Sequence, residues 1–142
     1  MKKILQSRFF YIFLYAFFIG VSQAEDFPIK PIKIIVPFAP GGSNDVVMRL
    51  LAPSLSEELG QSVIVENRPG GGATIGMDLV AKSKPDGYTL GVANTSFGAN
   101  PFVMSKMPFD TQKDFSPVSL VGKVPLVVVV NPSFPVRNIK EL

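Results

Sequence analysis

The chain has 142 residues, enough for one domain, and a formal net charge of +3. It contains no histidine and no cysteine, which excludes Ser–His and Cys–His catalytic pairs and the usual zinc ligand sets from this chain. Three basic residues (Lys2, Lys3 and Arg8) lie in an N-terminal segment without acids, so residues 25–142 carry 11 basic and 11 acidic residues and do not indicate a nucleic-acid partner.

The N-terminal segment predicts a secretory signal peptide. A positive start is followed by the apolar run 9–21, and Ser22-Gln23-Ala24 supplies small residues for cleavage after Ala24. The alternative is an uncleaved membrane anchor, but thirteen residues rise only about 20 Å as a helix, short of the roughly 30 Å hydrocarbon core. The sequence therefore predicts an exported, periplasmic protein, and its lack of cysteine excludes a lipid anchor.

The next segment predicts a buried strand and a helix. Residues 32–38 are β-branched and nearly all apolar, as in a parallel sheet. Ala39-Pro40-Gly41-Gly42 ends the strand. Ser43 or Asn44 is predicted to cap a helix that runs to Leu59, kinks at Pro53 and ends at a left-handed Gly60. Its expected core stripe recurs every four residues: Val47, Leu51, Leu55 and Leu59.

Two further strands follow, with a helix between them. Residues 63–67 predict the second strand, 74–82 a helix and 88–93 the third strand, separated by glycine-rich and Pro-Asp-Gly turns. Strands that alternate with helices at this spacing predict βαβ crossovers. The expected fold class is therefore α/β, with a parallel sheet covered by helices on both faces.

The pattern is less regular after Ala93. Residues 94–100 are rich in small and polar residues, and residues 101–116 predict a long surface excursion. Residues 118–121 are a candidate short strand, and the apolar run 126–130 predicts a clear one. Asn138 is expected to cap a helix that has barely begun at Leu142.

Two glycine-rich loops follow predicted strands, where nucleotide-binding motifs occur. In residues 71–77 the glycine spacing fits a P-loop, but Met77 occupies the lysine position, and the dinucleotide fingerprint also fails. The first loop, 37–45, is more informative, because glycines admit a ligand to the backbone and a helix start offers free N–H groups to an anion. Simple turn chemistry is the alternative at this position.

Several motifs in one order resemble a known family. These are Lys30-Pro31-Ile32-Lys33-Ile34-Ile35-Val36-Pro37-Phe38-Ala39-Pro40-Gly41-Gly42, Asp45, Val63-Ile64-Val65-Glu66-Asn67-Arg68-Pro69-Gly70, Ile75-Gly76 and Pro85-Asp86-Gly87-Tyr88-Thr89-Leu90. The chain resembles the Bug family, the extracytoplasmic receptors of tripartite tricarboxylate transporters, over about residues 27–142. The resemblance implies a periplasmic-binding-protein type II fold of two domains that close on a ligand.

The resemblance also implies the site and its partners. Family ligands are di- and tricarboxylates, amino acids and aromatic acids, held by the loop after the first strand and by the segment after the third. The expected ligand-binding residues are Phe38, Ala39, Gly41, Gly42, Ser43, Asn44, Asp45, Asn94, Thr95 and Ser96. The expected partners are a small carboxylate and the membrane components of a tripartite transporter. We expect a monomer, with no catalytic residue, metal, cofactor or nucleic acid.

Family members are roughly twice this length, which implies a truncated copy. The expected division is a signal peptide (1–24), ligand-binding domain 1 with a βαβαβ core (25–130), and a crossover that begins the truncated domain 2 (131–142). Since one wall of the cleft would then be missing, weak or no binding by this chain alone is expected.

Other functions remain open at the level of sequence. One is a ligand sensor for a signalling partner, and another is an inactive gene remnant. An α/β enzyme, such as a hydrolase or transferase that uses the glycine loops, is less well supported, because histidine is absent and the nucleotide motifs fail.

Overall fold

The fold is described from a computed structural model, which covers residues 26–125 and 127–142. The signal-peptide prediction falls outside these residues. The elements follow one another as strand β1 (Ile32–Val36), helix α1 (Ser43–Leu59), strand β2 (Val63–Asn67), a 3-10 turn (Gly71–Ala73), helix α2 (Thr74–Ala81), strand β3 (Thr89–Gly91) and helix α3 (Thr95–Val103).

The three strands form a parallel sheet in the order β2-β1-β3. In the register, Ile34 of β1 lies opposite Val65 of β2 and Leu90 of β3. Parallel neighbours require crossover connections, which α1 and α2 provide. The α/β prediction with βαβ crossovers is therefore confirmed, although β3 is shorter than the predicted 88–93.

Helix α1 covers one face of the sheet. Ile34 and Val36 point to this face together with Met48 of α1, and all three side chains are buried. Partly buried apolar side chains complete the cluster: Phe38, Val63, Val65, Leu90 and Val92. Removal of this apolar surface from water is the main term that holds α1 to the sheet.

Helix α2 covers the opposite face. Side chains alternate along a strand, so the fully buried Ile35 points away from α1. A Cβ atom added to Gly91, the partner of Ile35 in β3, would lie 3.1 Å from Val80 and 3.2 Å from Met77 of α2. Helices therefore lie on both faces of the sheet, as predicted.

The predicted core stripe of α1 is wrong by one residue. The buried residues of the helix are Asp45, Met48 and Ala52, whereas Val47 and Leu51 are 41% and 38% exposed. The hydrogen bonds of Asp45 turn the helix so that residues three and seven positions later face the sheet. The end of the helix is as predicted, because Gly60 adopts a left-handed φ of 63°.

The irregular region predicted after Ala93 contains a helix instead. Helix α3 begins after Asn94, whose side chain accepts a hydrogen bond of 2.9 Å from the Ser96 N–H. Its Phe97 packs with Phe109 and Phe115, with ring centroids 5.0 to 6.0 Å apart. Phe109 is buried, so part of the predicted surface excursion is anchored to the domain.

The strands predicted near the C-terminus are wrong for the residues described. Residues 118–121 and 127–130 form no strand and are exposed, because a strand requires a paired neighbour and neither edge of the described sheet pairs with them. Asn138 begins a single turn closed by the Glu141 N–H at 3.1 Å, rather than a helix. In the described part of the chain, no helix has the length and apolar character needed to cross a membrane.

Two glycine-to-alanine substitutions test the packing of α2. A Cβ atom at Gly76 would lie 2.7 Å from the Arg68 carbonyl oxygen and 2.8 Å from Pro37 Cβ. We expect Gly76→Ala to lower the free energy of unfolding by about 1–3 kcal/mol through overpacking. The control is Gly98→Ala in α3, where a Cβ meets nothing within 4 Å and helix propensity favours alanine by up to about 1 kcal/mol. Denaturant titration measures both; equal effects would contradict the close approach of α2.

Candidate functional site

The strand order identifies one edge of the sheet as the candidate site. The chain passes from β1 to β2 on one side and then to β3 on the other, so the connections diverge at the carboxyl ends of β1 and β3. In open α/β sheets ligands bind in the crevice at such a switch point. The predicted binding segments, 38–45 and 94–96, both follow these strand ends, so the structure places them on the same edge.

The loop after β1 leaves the start of α1 uncapped. Gly41 has a φ of +81°, which favours glycine, and Gly42 is the N-cap with an extended backbone and no side chain to offer. The prediction that Ser43 or Asn44 caps the helix is therefore wrong, since both lie inside it. The first N–H groups of a helix have no partner within it, so those of Ser43 and Asn44 are available to a ligand.

The carboxylate of Asp45 points into the loop and not outward. The residue is 3% exposed. Oδ2 accepts a hydrogen bond of 2.8 Å from the Gly41 N–H, and Oδ1 accepts bonds of 2.9 Å from Arg49 Nε and from Asn67 Nδ2. The side chain therefore supports the loop from within. A ligand contact by Asp45 through its backbone N–H stays a prediction.

These contacts lower the pKa of Asp45 to about 2 from its ordinary value of 3.8. The hydrogen bond from the Gly41 N–H is the largest cause, followed by those from Arg49 and Asn67. All of them favour the charged form of the carboxyl group. Asp45 is therefore ionised near neutral pH, where a carboxylate ligand is ionised as well.

Sequence reasoning missed two residues of this network. Asn67 Nδ2 donates to the Phe38 carbonyl at 3.1 Å as well as to Asp45, and Arg49 donates to Asn67 Oδ1 at 2.8 Å. The available signal was position, because Asn67 is a polar residue at the carboxyl end of β2, on the same sheet edge as the loop. Arg49 could have been found from its spacing, because it lies four residues after Asp45 on the same helix, where opposite charges pair.

The segment after β3 contributes a second helix start. Asn94 caps α3 through its side chain, while Thr95 is exposed and Ser96 is partly buried. Asn100 of the same helix donates a hydrogen bond of 2.8 Å to the Gly72 carbonyl. This contact ties α3 to the glycine-rich loop that follows β2.

The geometry is suited to holding a small anion through neutral groups. The exposed backbone of Ala39, Gly41 and Gly42 meets a helix N-terminus, where dipole and free N–H groups favour negative charge. Within residues 26–125 and 127–142, no group of three potential metal ligands lies together. Two depressions on the described surface lie at residues 101–114 and between α1 and β2. Neither is lined by the predicted binding residues, so the candidate site is an open edge of the sheet and not one of these depressions.

Comparison with known proteins gives a family and named relatives. The model of the family described as "Tripartite tricarboxylate transporter family receptor" matches residues 47–142. The chain is 46% identical over 122 residues to Protein BugT of Bordetella pertussis. The aligned region covers 84% of this chain and 37% of BugT. The chain thus spans well under half the length of this relative.

Solved structures share the fold. MatC from Rhodopseudomonas palustris, with bound malate, is 38% identical with a TM-score of 0.64. The aligned region covers 67% of this chain and 33% of the MatC chain. An R. palustris protein with adipate is 36% identical with a TM-score of 0.69, covering 81% of this chain and 39% of its own.

Acid titration tests the role of Asp45. A carboxyl group with a lowered pKa stabilises the folded state above its unfolded pKa, and this contribution is lost as pH falls through the folded value. We expect Asp45→Asn to lower the unfolding temperature at pH 7, since an amide cannot accept from all the present donors. The deficit should shrink as pH falls from about 4 to about 2.

The matched control is Glu58→Gln, which neutralises an exposed acid on the same helix. We expect the unfolding temperature of this variant to stay close to that of the parent chain at each pH in the same range, as for most surface substitutions. Thermal unfolding followed by circular dichroism measures both variants. A deficit of Asp45→Asn that does not vary with pH would contradict the assignment.

Proposed function

Because this chain belongs to the tripartite tricarboxylate transporter receptor family, as its resemblance to Bug proteins predicted, we propose that it is an extracytoplasmic solute-binding receptor. Its ligand is a small carboxylate, which it delivers to the membrane components of a tripartite transporter. It acts in the periplasm after removal of residues 1–24. These proposals extend the family assignment to substrate, partner and location.

The uncapped N-terminus of α1 at the β1/β3 edge is the observation that carries the proposal. Gly42 offers no side chain, so the N–H groups of Ser43 and Asn44 have no competing cap. A carboxylate at this position would accept these bonds and lie at the positive end of the helix dipole. Charge-assisted bonds of this kind contribute about 1.5–3 kcal/mol.

Among the small anions that the loop could hold, the solved relatives favour a carboxylate. Two similar structures carry malate and adipate, which are both dicarboxylates. The segment Asn94 to Ser96 lies at the end of the neighbouring strand and is proposed as the second contact. The sequence has no histidine or cysteine to build a nucleophile with its base, so we propose a binding role without catalysis.

We propose that the chain as it stands binds its ligand weakly. Half of the ten predicted contact residues are exposed: Ala39, Gly41, Gly42, Ser43 and Thr95. Water competes for hydrogen bonds at such a surface, which reduces their net contribution. A detection method that follows millimolar binding is therefore appropriate.

Ser43→Pro is a selective test of the proposed anion site. Proline is tolerated at the first helical position, where it removes an N–H that has no partner in the helix. Gly42 already has φ −71° and ψ 165°, the conformation preferred before proline. We expect folding to be retained and the dissociation constant for malate or adipate to rise about tenfold or more, measured by NMR titration of the amide resonances.

Ser43→Ala is the matched control, because it removes the hydroxyl group and keeps the N–H. We expect it to bind like the parent chain. The diamide of malate, which lacks the charge, should not shift the amides of residues 38–45. Equal binding by Ser43→Pro and Ser43→Ala would reject the helix start as the anion site.

A further inference from the structure

Asn67 lies outside the predicted binding residues and yet contacts both ends of the loop after β1. Its Nδ2 atom donates to the carbonyl oxygen of Phe38 at 3.1 Å and to Oδ1 of Asp45 at 2.9 Å. Phe38 begins the loop, and Asp45 lies in the first turn of α1. One side-chain amide therefore closes the loop across seven residues of sequence.

The orientation of this amide is fixed by Arg49. The guanidinium group donates to Oδ1 of Asn67 at 2.8 Å and, through Nε, to Asp45 at 2.9 Å. A flipped amide would place its NH2 group against a cation and its oxygen against two acceptors. Only the observed orientation satisfies all of these contacts, so the donor side of Asn67 faces Phe38.

The contact continues the hydrogen-bond pattern of the sheet beyond β1. The Val36 carbonyl accepts a bond of 2.8 Å from the Arg68 N–H on the β2 side, and the Ile35 carbonyl accepts one of 2.9 Å from the Val92 N–H on the β3 side. The carbonyl of Phe38, two residues after Val36, again points to the β2 side. There the Asn67 side chain takes the place of a backbone donor.

This arrangement determines where the next N–H group points. In a planar trans peptide, the carbonyl of one residue and the N–H of the next point in opposite directions. With the Phe38 carbonyl held toward β2, the Ala39 N–H points toward β3, into the switch point. Among the described residues it has no hydrogen-bond acceptor, although the residue is exposed to water and ligand alike.

We infer that Asn67, oriented by Arg49, is a positioning residue that directs the Ala39 N–H toward the carboxylate ligand. Asn67 does not touch the ligand. It keeps the Phe38 carbonyl, which would repel an anion, at the opposite edge of the peptide group, pointing away from the ligand. This inference rests on the proposed function and deepens it: it identifies the N–H of Ala39, one of the expected binding residues, as the donor, and Asn67 as the side chain that directs it.

The test is an NMR titration of the full chain with malate and with adipate. In the parent chain we expect the amide resonance of Ala39 to shift together with those of Ser43 and Asn44. In Asn67→Ala and Asn67→Asp we expect the Ala39 shift to be lost and the dissociation constant to rise about tenfold. The aspartate variant keeps the size and the acceptor for Arg49 and removes the donor, but it also adds a negative charge beside Asp45, so the alanine variant decides the outcome.

Tyr88→Phe is the control for a loss of stability alone. It deletes the hydroxyl that accepts a bond of 2.9 Å from the Ile29 N–H, at the amino end of β3 and away from the loop. We expect a lower unfolding temperature with unchanged binding. A loss of affinity in Tyr88→Phe equal to that of the Asn67 variants would overturn the inference.

Two results separate this inference from the proposed function. A parent titration that shifts Ser43 and Asn44 but leaves Ala39 unmoved overturns the role of Asn67 and retains the anion site, whether or not the variants fold. A parent titration that shifts no amide of residues 38–45 rejects the proposed function and the inference together.

Discussion

The buried carboxylate of Asp45 is the interaction on which the site and its helix depend. A charged group with 3% exposure is tolerated only when it is fully hydrogen-bonded, and Gly41, Arg49 and Asn67 supply its donors. The contact with Gly41 fixes the left-handed turn of the loop, and the contact with Asn67 of β2 fixes the rotation of α1 against the sheet. Met48 and Ala52 are thereby turned to the sheet, and the free N–H groups of the first turn are turned out.

The same network keeps the loop electrically neutral. An unpaired carboxylate at the first turn would satisfy the helix dipole and repel a second anion. Arg49, at 2.9 Å from Asp45, offsets this charge without presenting a free cation at the helix start. The loop is left with backbone N–H groups as its means of holding an anion.

The sequence was sufficient where hydrophobic pattern and turn chemistry agree. The apolar run 32–38, the strand 63–67 and the glycine at 60 predicted β1, β2 and the end of α1, because these signals are local. The stripe of α1 was missed because a buried aspartate, not the apolar period, sets its rotation. Helix α3 was missed because its small polar residues and Pro101 have low helix propensity, and its Phe97 is held by Phe109 and Phe115. The contact between Asn67 and Phe38 spans 29 residues, a distance over which local patterns carry no information.

Backbone N–H groups can select carboxylates as a class, but they cannot select one carboxylate from another. Under the proposed function, such groups read the charge and geometry of one carboxylate and not the rest of the ligand, so the loop 38–45 alone does not distinguish one dicarboxylate from another. Discrimination requires side chains that meet the remainder of the ligand, since specificity is a difference of affinities between competing ligands. Within the described residues, the segment Asn94 to Ser96 lies beside the switch point and begins a different helix after a different strand, so under the proposed function it is the candidate for that task. Substitutions there should change which carboxylate is preferred, whereas changes in the network of Asp45 and Asn67 should weaken all carboxylates alike.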